Sequence, residues 1–179
     1  MSIDIAVVMD PIGAINIKKD SSFAMLLEAQ RRGWRLHYAT SGDLAIENGE
    51  ARARLAPLRV KDDASGWFEL DAARWRPLAD MRVALMRRDP PVDSQYLYDT
   101  HVLSLAQAAG CLVVNDPQGL RDMNEKLFAL HFPQCIPRSR VSRDPTQLRA
   151  FVEEERDCVL KPLDGMGGRS IFRARADDD

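Results

Sequence analysis

A glycine-rich segment beside a lysine lies near the carboxyl end of the sequence and has the composition of a phosphate-binding loop. It spans Gly165 to Gly168 and follows the short apolar run Cys158 to Leu160 and then Lys161. Glycines can adopt positive φ and bring backbone N–H groups close to an anion, and a lysine adds positive charge. The residues Ser170 to Arg173 predict a second strand, whereas the P-loop and the dinucleotide fingerprint both open a helix. The pattern therefore predicts a hairpin flap over phosphates, as in kinases, with a plain turn and an exposed lysine as the alternative.

A second group of charged residues follows the predicted strands in the first half of the chain. Asp10 comes directly after an apolar run, Lys18 to Ser21 precede the first helix, and Arg87 and Asp89 follow a later apolar run. Open α/β sheets bind ligands beyond the carboxyl ends of their strands, which makes these residues candidates for a binding site. Each also has a local alternative, because Asp20 or Ser21 can cap the helix and Arg87 can pair with Asp89.

Alternating strands and helices must position this second group. Continuous apolar runs indicate buried parallel strands, and capping residues and glycines mark the helix ends. Asn48-Gly49 predicts an antiparallel hairpin between the second and third parallel strands. The pattern is that of a doubly wound, mostly parallel sheet. We predict strands at Ile3–Met9, Trp34–Ala39, Val83–Met86 and Cys111–Val114, and helices at Phe23–Arg32 and at Asp93–Ala109, the latter with Tyr98, Val102, Leu105 and Ala109 along one stripe.

A helical stretch at Leu120–Leu130 contains Lys126, and Pro133 and Pro137 after it indicate a linker or turn. A second, smaller α/β pattern follows, and it predicts a strand at Arg138–Val141, a helix at Pro145–Glu155 and a strand at Cys158–Lys161. By itself Lys126 would be an exposed surface lysine. We therefore predict two domains, 1–122 and 123–179, and expect the second to be incomplete.

Composition excludes several classes of protein. Hydrophobic residues make up 45% of the chain and charged residues 29%, with a net charge of −2, so no nucleic-acid or membrane surface is indicated. The 3 cysteines form no CxxC pair, which argues against a zinc site or a disulfide framework. The amino terminus does not resemble a signal peptide, and no apolar run approaches the roughly 20 residues of a membrane span. We expect a cytoplasmic protein.

Five blocks of sequence, in order along essentially the whole chain, resemble bacterial glutathione synthetases of the ATP-grasp ligases. Several long blocks in order are more specific than any single glycine loop. The blocks are Val8–Ile12, Asn16–Gly33, Leu85–Pro91, Val114–Lys126 and Leu160–Gly168.

The resemblance implies an α/β fold, with a Rossmann-like parallel-sheet (pre-ATP-grasp) domain followed by an incomplete ATP-grasp domain. It implies an ATP-dependent ligase that joins γ-glutamylcysteine and glycine through an acyl phosphate, uses Mg²⁺ or Mn²⁺, and forms a homotetramer at full length. The metal ligands and catalytic residues would lie in a carboxyl-terminal part beyond this chain, so none is assigned here and the chain alone is expected to be inactive. By motif match the ATP-binding residues are Lys126, Lys161, Gly165, Met166, Gly167 and Gly168.

The resemblance also implies that the charged residues of the first domain recognise γ-glutamylcysteine, because its carboxylates require cations and its amine requires an acid. Another ATP-grasp carboxylate–amine ligase and a non-catalytic binding remnant are the alternative functions. The substrate-binding candidates are Asp10, Lys18, Lys19, Asp20, Ser21, Arg87 and Asp89.

Overall fold

A computed structural model describes residues 3–165 and 167–178 of the chain. Met166, one of the predicted ATP-binding residues, lies outside the described residues. The chain divides into two compact units, Met1–Arg121 and Asp122–Asp179.

The first unit is built on one mixed sheet of eight strands. Its strands are β1 Asp4–Met9, β2 Arg35–Ala39, β3 Leu44–Glu47, β4 Glu50–Val60, β5 Phe68–Leu70, β6 Arg74–Pro77, β7 Val83–Arg87 and β8 Leu112–Val114. Its α-helices are α1 Ser21–Arg31 and α2 Ser94–Ala108, and α3 Pro117–Asp122 ends where the second unit begins. Short 3₁₀ turns lie at Ile12–Ala14, Ser41–Asp43 and Leu78–Asp80.

The order of the strands confirms the predicted doubly wound sheet. The main path runs β3-β4-β2-β1-β7-β8, and β1 pairs in parallel with both β2 and β7. From β1 the chain passes through α1 to β2 on one side, and from β7 it passes through α2 to β8 on the other. The carboxyl ends of β1 and β7 therefore form the switch point of the sheet, where open α/β sheets bind ligands.

Alternation along β1 divides the core between the two faces of the sheet. Ile5, Val7 and Met9 belong to the apolar cluster that contains Phe23 and Leu26 of α1. Ala6 and Val8 belong to the second cluster, with Leu103 and Ala106 of α2. Successive side chains of a strand point to opposite faces, and therefore one continuous apolar run serves both cores.

Helix α1 begins two residues before and ends one residue before the predicted Phe23–Arg32, and Asp20 caps it as its sequence position allows. The Asp20 side chain accepts a hydrogen bond of 2.9 Å from the Phe23 N–H, the usual geometry of an N-cap. Gly33, just beyond the helix, has φ of 74°, which glycine adopts without strain. This cap places residues 18–21 at the switch point.

Helix α2 has the predicted position, but of the predicted stripe Tyr98, Val102, Leu105 and Ala109 only Val102 is buried. Tyr98 is 61% exposed and Leu105 38% exposed, whereas Asp99 and Leu103 are 1% and 0% exposed. The buried face was not predictable from apolar periodicity because α2 has apolar residues on both sides and buries the polar residues Asp99 and Thr100. The buried residues of α2 are Tyr96, Asp99, Thr100, Val102, Leu103 and Ala106.

The predicted hairpin at Asn48-Gly49 is confirmed, with φ of 51° and 83° at the two turn residues. Such values are those of a type I′ turn, whose twist suits a hairpin. The excursion is larger than predicted, because β4 continues past β3 to pair with β2, β5 and β6.

The second unit contains α4 Pro145–Glu155 and the antiparallel pair β9 Asp157–Leu160 and β10 Phe172–Arg175, with 3₁₀ turns at Phe128–His131 and Pro133–Cys135. The helix and the strand–loop–strand arrangement around the glycines are confirmed. Arg138–Val141 is not a strand, since it pairs with no other strand within the described residues.

The predicted helix at Leu120–Leu130 is also wrong, because the chain leaves helical geometry after Asp122. The Asn124 side-chain oxygen accepts hydrogen bonds from the N–H groups of Lys126 (3.0 Å) and Leu127 (3.1 Å). Such a local bond competes with helical backbone bonds and favours a turn. Lys126 therefore lies in a turn.

Candidate substrate and nucleotide sites

Arg87 stands at the carboxyl end of β7 and reaches the first turn of α1. Its Nε donates to Ser22 Oγ at 2.9 Å and its Nη2 donates to Ser21 Oγ at 2.9 Å. Both acceptors are neutral hydroxyls, and no ion pair of Arg87 with Asp89 or another acid occurs in the described part of the chain. The guanidinium charge is thus available to an anion at the switch point.

Asp10 and Asp89 connect the loops that follow β1 and β7. The backbone N–H of Asp89 donates to Asp10 Oδ2 at 2.8 Å. Asp89 is exposed, and its carboxylate makes no hydrogen bond or ion pair with any residue that the structure describes. The structure therefore brings Asp10, Asp89 and the Arg87 cation to one edge of the sheet, with Ser21 as a hydroxyl partner.

Tyr38 is a residue of this region that the sequence analysis missed. Its hydroxyl, at the end of β2, donates to the Asp10 carbonyl at 3.3 Å and accepts from the Ile12 N–H at 3.1 Å. Burial raises the pKa of this hydroxyl, which keeps it protonated and able to donate. A tyrosine in a mostly apolar strand is typical of a core residue. Only the fold shows that its hydroxyl hydrogen-bonds the backbone of the loop between β1 and α1.

The remaining substrate candidates have local roles or none. Asp20 caps α1, the alternative that its position in the sequence left open. Lys18 and Lys19 belong to a turn in which the Lys18 N–H donates to Asn16 Oδ1 at 3.1 Å. Both amino groups are exposed and have no hydrogen bond or ion pair with any described residue. They add positive charge near the switch point without a fixed geometry.

In the second unit, Lys126 is held against the glycine loop. Its Nζ donates to the Gly165 carbonyl at 2.7 Å and lies 2.7 Å from Glu125 Oε1, and its side chain is 19% exposed. Asn124 adds a second link through a 2.9 Å hydrogen bond from Nδ2 to the Leu163 carbonyl. Lys126 is therefore a semi-buried partner of the loop, which its position in the sequence did not indicate.

Glycine is favoured in this loop for two different structural reasons, backbone conformation and close packing. Gly167 and Gly168 have φ of 63° and 77°, as a loop that turns N–H groups toward an anion requires. Gly165 does not have positive φ. A Cβ atom there would lie 2.9 Å from Pro162 Cγ, so close packing excludes larger residues.

Lys161 and Lys126 line one cleft of about 920 Å³ in the second unit, together with Leu130, Ile136 and Phe151. Lys161 follows β9, is exposed, and makes no hydrogen bond or ion pair with the described residues. Two cations beside a glycine loop, with apolar walls, fit a nucleotide phosphate chain. Within the described residues, no three His, Cys, Asp or Glu side chains lie close enough together to hold a metal ion.

Two family models match the chain almost from end to end. The prokaryotic glutathione synthetase N-terminal domain matches residues 3–121, and the prokaryotic glutathione synthetase ATP-grasp domain matches residues 125–179. The chain belongs to the prokaryotic glutathione synthetase family. The family resemblance seen in the sequence is thereby confirmed, and the second unit is a partial ATP-grasp domain.

Curated relatives agree with this assignment to the glutathione synthetase family. The chain is 59% identical over 178 residues to the glutathione synthetase of Xanthomonas axonopodis pv. citri, covering 99% of this chain and 56% of that protein. It is 55% identical to that of Yersinia pestis and 54% identical to that of Escherichia coli K12, with 98% of this chain covered in each case. The chain spans about 56% of the length of these relatives.

Solved structures with the same fold come from ATP-grasp ligases. The ligase PsnB complexed with minimal precursor superposes with a TM-score of 0.54 at 19% identity, covering 99% of this chain and 58% of PsnB. At this identity the likeness is one of fold. No helix among the described residues of this glutathione synthetase family member is long and apolar enough to cross a membrane.

Proposed function

We propose that this chain is the amino-terminal part of an ATP-dependent ligase that makes glutathione. The carboxylate of γ-glutamylcysteine attacks the γ-phosphorus of ATP, giving an acyl phosphate and ADP. The amine of glycine then attacks the acyl carbon, and phosphate leaves. The observation that carries the proposal is the 59% identity to a glutathione synthetase across 99% of the chain.

We assign the ATP phosphates to the cleft of the second unit. Lys126 and Lys161 bind the phosphate oxygens, and the segment Gly165 to Gly168 covers them as a small lid. The positive φ of Gly167 and Gly168 supports this role, since it allows backbone N–H groups to face the phosphates. Preorganised donors and cations stabilise the charge that moves during phosphoryl transfer.

We assign recognition of γ-glutamylcysteine to the switch point of the first unit. Arg87 binds a substrate carboxylate, since its guanidinium touches only the hydroxyls of Ser21 and Ser22 and lacks an acidic partner among the described residues. Asp10 and Asp89 face the substrate amine. Lys18 and Lys19 add long-range attraction for an anionic peptide, and Asp20 contributes by fixing the first turn of α1.

Further requirements of the complete protein belong to the same proposal. Mg²⁺, with Mn²⁺ able to replace it, accompanies ATP, and the complete protein is a homotetramer. PsnB has been solved with Mg and ADP, which supports a divalent cation in this fold. We also infer that the metal ligands belong to a carboxyl-terminal part of the complete enzyme, as the family resemblance implies.

The test compares the 179-residue chain with a completed enzyme. The completed enzyme is defined here as this chain joined at Asp179 to the remaining carboxyl-terminal part of the Xanthomonas axonopodis relative. Glutathione and ADP are measured with γ-glutamylcysteine, glycine and Mg-ATP. We expect the completed enzyme to form both in equal amounts, and the chain alone to match the blank because phosphoryl transfer depends on metal and positioning.

Three outcomes count against the proposal. Turnover by the 179-residue chain alone would place the metal site within it. Turnover of the completed enzyme with another carboxylate and amine, and not with γ-glutamylcysteine and glycine, would indicate a different ATP-grasp ligase. A folded completed enzyme that binds γ-glutamylcysteine and releases no ADP would indicate a binding remnant.

A further inference from the structure

A buried ion pair lies directly beside the proposed substrate site and has no assigned role. Arg88 Nη1 lies 2.8 Å from Asp99 Oδ2, and the two side chains are 15% and 2% exposed. The second oxygen of Asp99 accepts a 3.1 Å hydrogen bond from Gln95 Nε2. The guanidinium also stands 5.7 Å from the centre of the Tyr96 ring and 3.5 Å from Asp93 Oδ1. Arg88 is thus fastened to the first turns of α2.

Net stability is a weak explanation for this pair. Removing two charges from water costs several kcal/mol per ion, and a buried pair roughly breaks even against apolar residues of the same size. Such a pair does fix the orientation of Arg88, because its guanidinium donates to one carboxylate oxygen of Asp99 while Gln95 holds the other oxygen.

Arg88 lies between two residues of the proposed substrate site, so its orientation affects theirs. At the end of β7 successive residues alternate between the two faces of the sheet, so Arg87 goes to α1 while Arg88 goes to α2. The next residue, Asp89, donates its backbone N–H to Asp10. Three consecutive residues therefore fasten β7 to α1, to α2 and to the loop after β1.

We propose that Asp99 is a positioning residue for substrate recognition. It acts through Arg88, which sets the backbone between Arg87 and Asp89 and so aims the Arg87 guanidinium at a carboxylate of the dipeptide. Asp99 itself is 1% exposed and does not touch the substrate. The proposal rests on the proposed function, because it concerns the site that binds γ-glutamylcysteine.

The test uses Asp99→Asn in the completed enzyme, with Asp4→Asn as a matched control. Asp4 is also a semi-buried carboxylate with an arginine partner, Arg35, and a second donor, His37, but it lies at the amino end of β1, on the opposite edge of the sheet. For Asp99→Asn we expect the KM for γ-glutamylcysteine to rise about tenfold or more, as misplacing a positioning group does, with the KM for ATP within twofold of the parent. For Asp4→Asn we expect both KM values within twofold of the parent, together with a lower Tm.

A milder variant keeps the test decisive if Asp99→Asn does not fold. Gln95→Ala removes only the second hydrogen bond of Asp99, and we expect a rise of about fivefold in the KM for γ-glutamylcysteine, which corresponds to the roughly 1 kcal/mol that one such bond contributes. Calorimetric titration with γ-glutamylcysteine in the absence of ATP should show the same weakening. An active parent whose Asp99 or Gln95 variants lose only thermal stability overturns the positioning role. A parent that neither binds the dipeptide nor makes glutathione overturns the proposed function instead.

Discussion

Gly167 offers a graded test of the phosphate loop, because a substitution there changes backbone preference and little else. Its φ is 63°, and a Cβ atom built at this position meets no other atom within 4 Å. The cost of a side chain is therefore conformational, on the order of 1–2 kcal/mol for an L-residue in the left-handed region. That cost lowers the population of the binding loop about 5- to 30-fold.

The ATP affinity of the completed enzyme, measured by calorimetry, should follow that scale. Gly167→Val should weaken it most because the β-branched side chain is the most restricted, Gly167→Ala should be intermediate, and Gly167→Asn should be closest to the parent because asparagine tolerates positive φ. Gly66→Ala is the matched control. Its Cβ also meets nothing within 4 Å, and its φ is not positive, so affinity should not change.

A poorly closed lid should also admit water to the acyl phosphate. The ratio of phosphate released to glutathione formed, at saturating substrates, should then rise for Gly167→Val. Equal affinities for the Val, Ala and Asn variants, with the parent's ratio throughout, would show that the loop is only a turn and would refute this account.

Three other predictions concern charge and domain stability. The hydrogen bond from Arg35 is the main cause that lowers the pKa of Asp4 to about 2 from its usual 3.8, outweighing the opposing effect of burial. Because the folded pKa is the lower one, ionised Asp4 stabilises the fold above pH 3.8, and the urea-unfolding difference between the chain and Asp4→Asn should fall from about 2 kcal/mol at pH 6 toward zero by pH 2. Lys126→Ala and Lys161→Ala should each weaken ATP binding and lower turnover of the completed enzyme, because each removes a cation that we propose binds the phosphates. Limited proteolysis, followed by mass spectrometry, should cut the 179-residue chain first within residues 131–143 or in the glycine loop, since the second unit offers little burial to offset its ordering.

Each of these has a control or an opposing outcome. A constant difference between the chain and Asp4→Asn in the free energy of unfolding from pH 6 to pH 2 would contradict the lowered pKa of Asp4. Lys61→Ala, which removes a lysine paired with Asp63 in the first unit, should leave ATP binding unchanged. First cleavage inside α1 would contradict the greater stability assigned to the first unit.

Much of the fold was predictable from local signals. The apolar run of β1, the Asp20 cap and Gly33 at the ends of α1, and the Asn48-Gly49 turn all lie where the sequence places them. Each of these signals is a property of neighbouring residues, so no knowledge of distant contacts was needed.

The wrong predictions concern segments whose structure depends on a side-chain hydrogen bond or on a residue distant in the sequence. The buried Asp99 of α2 is paired with Arg88, which lies in the loop just after β7. Asn124 turns the chain at Lys126 by binding backbone N–H groups that a helix would otherwise use. The stretch Arg138–Val141 has strand-like composition, but a strand also requires a neighbour to pair with.

The sequence predicted where the candidate site residues lie, but it did not predict which groups they contact. The switch point follows from alternating strands and helices, and it contains Arg87 and Asp10. That Arg87 would bind two serine hydroxyls of α1, and that the Asp89 carboxylate would have no partner among the described residues, depends on how β7 and α1 pack. The roles of Arg87, Asp10 and Asp89 toward γ-glutamylcysteine stay predictions.

The central place of β1 in the sheet has a consequence for biosynthesis. Ile5 pairs with both Leu36 and Val83, so one edge of β1 has no partner until the ribosome has added β7. At roughly 5–20 residues per second, that interval lasts on the order of 4–16 s. During it, the nascent chain presents an apolar strand with unpaired backbone groups, the kind of surface that draws chaperones or neighbouring nascent chains. The strand that anchors the proposed substrate site is therefore also the segment most exposed to misassembly while the protein is being made.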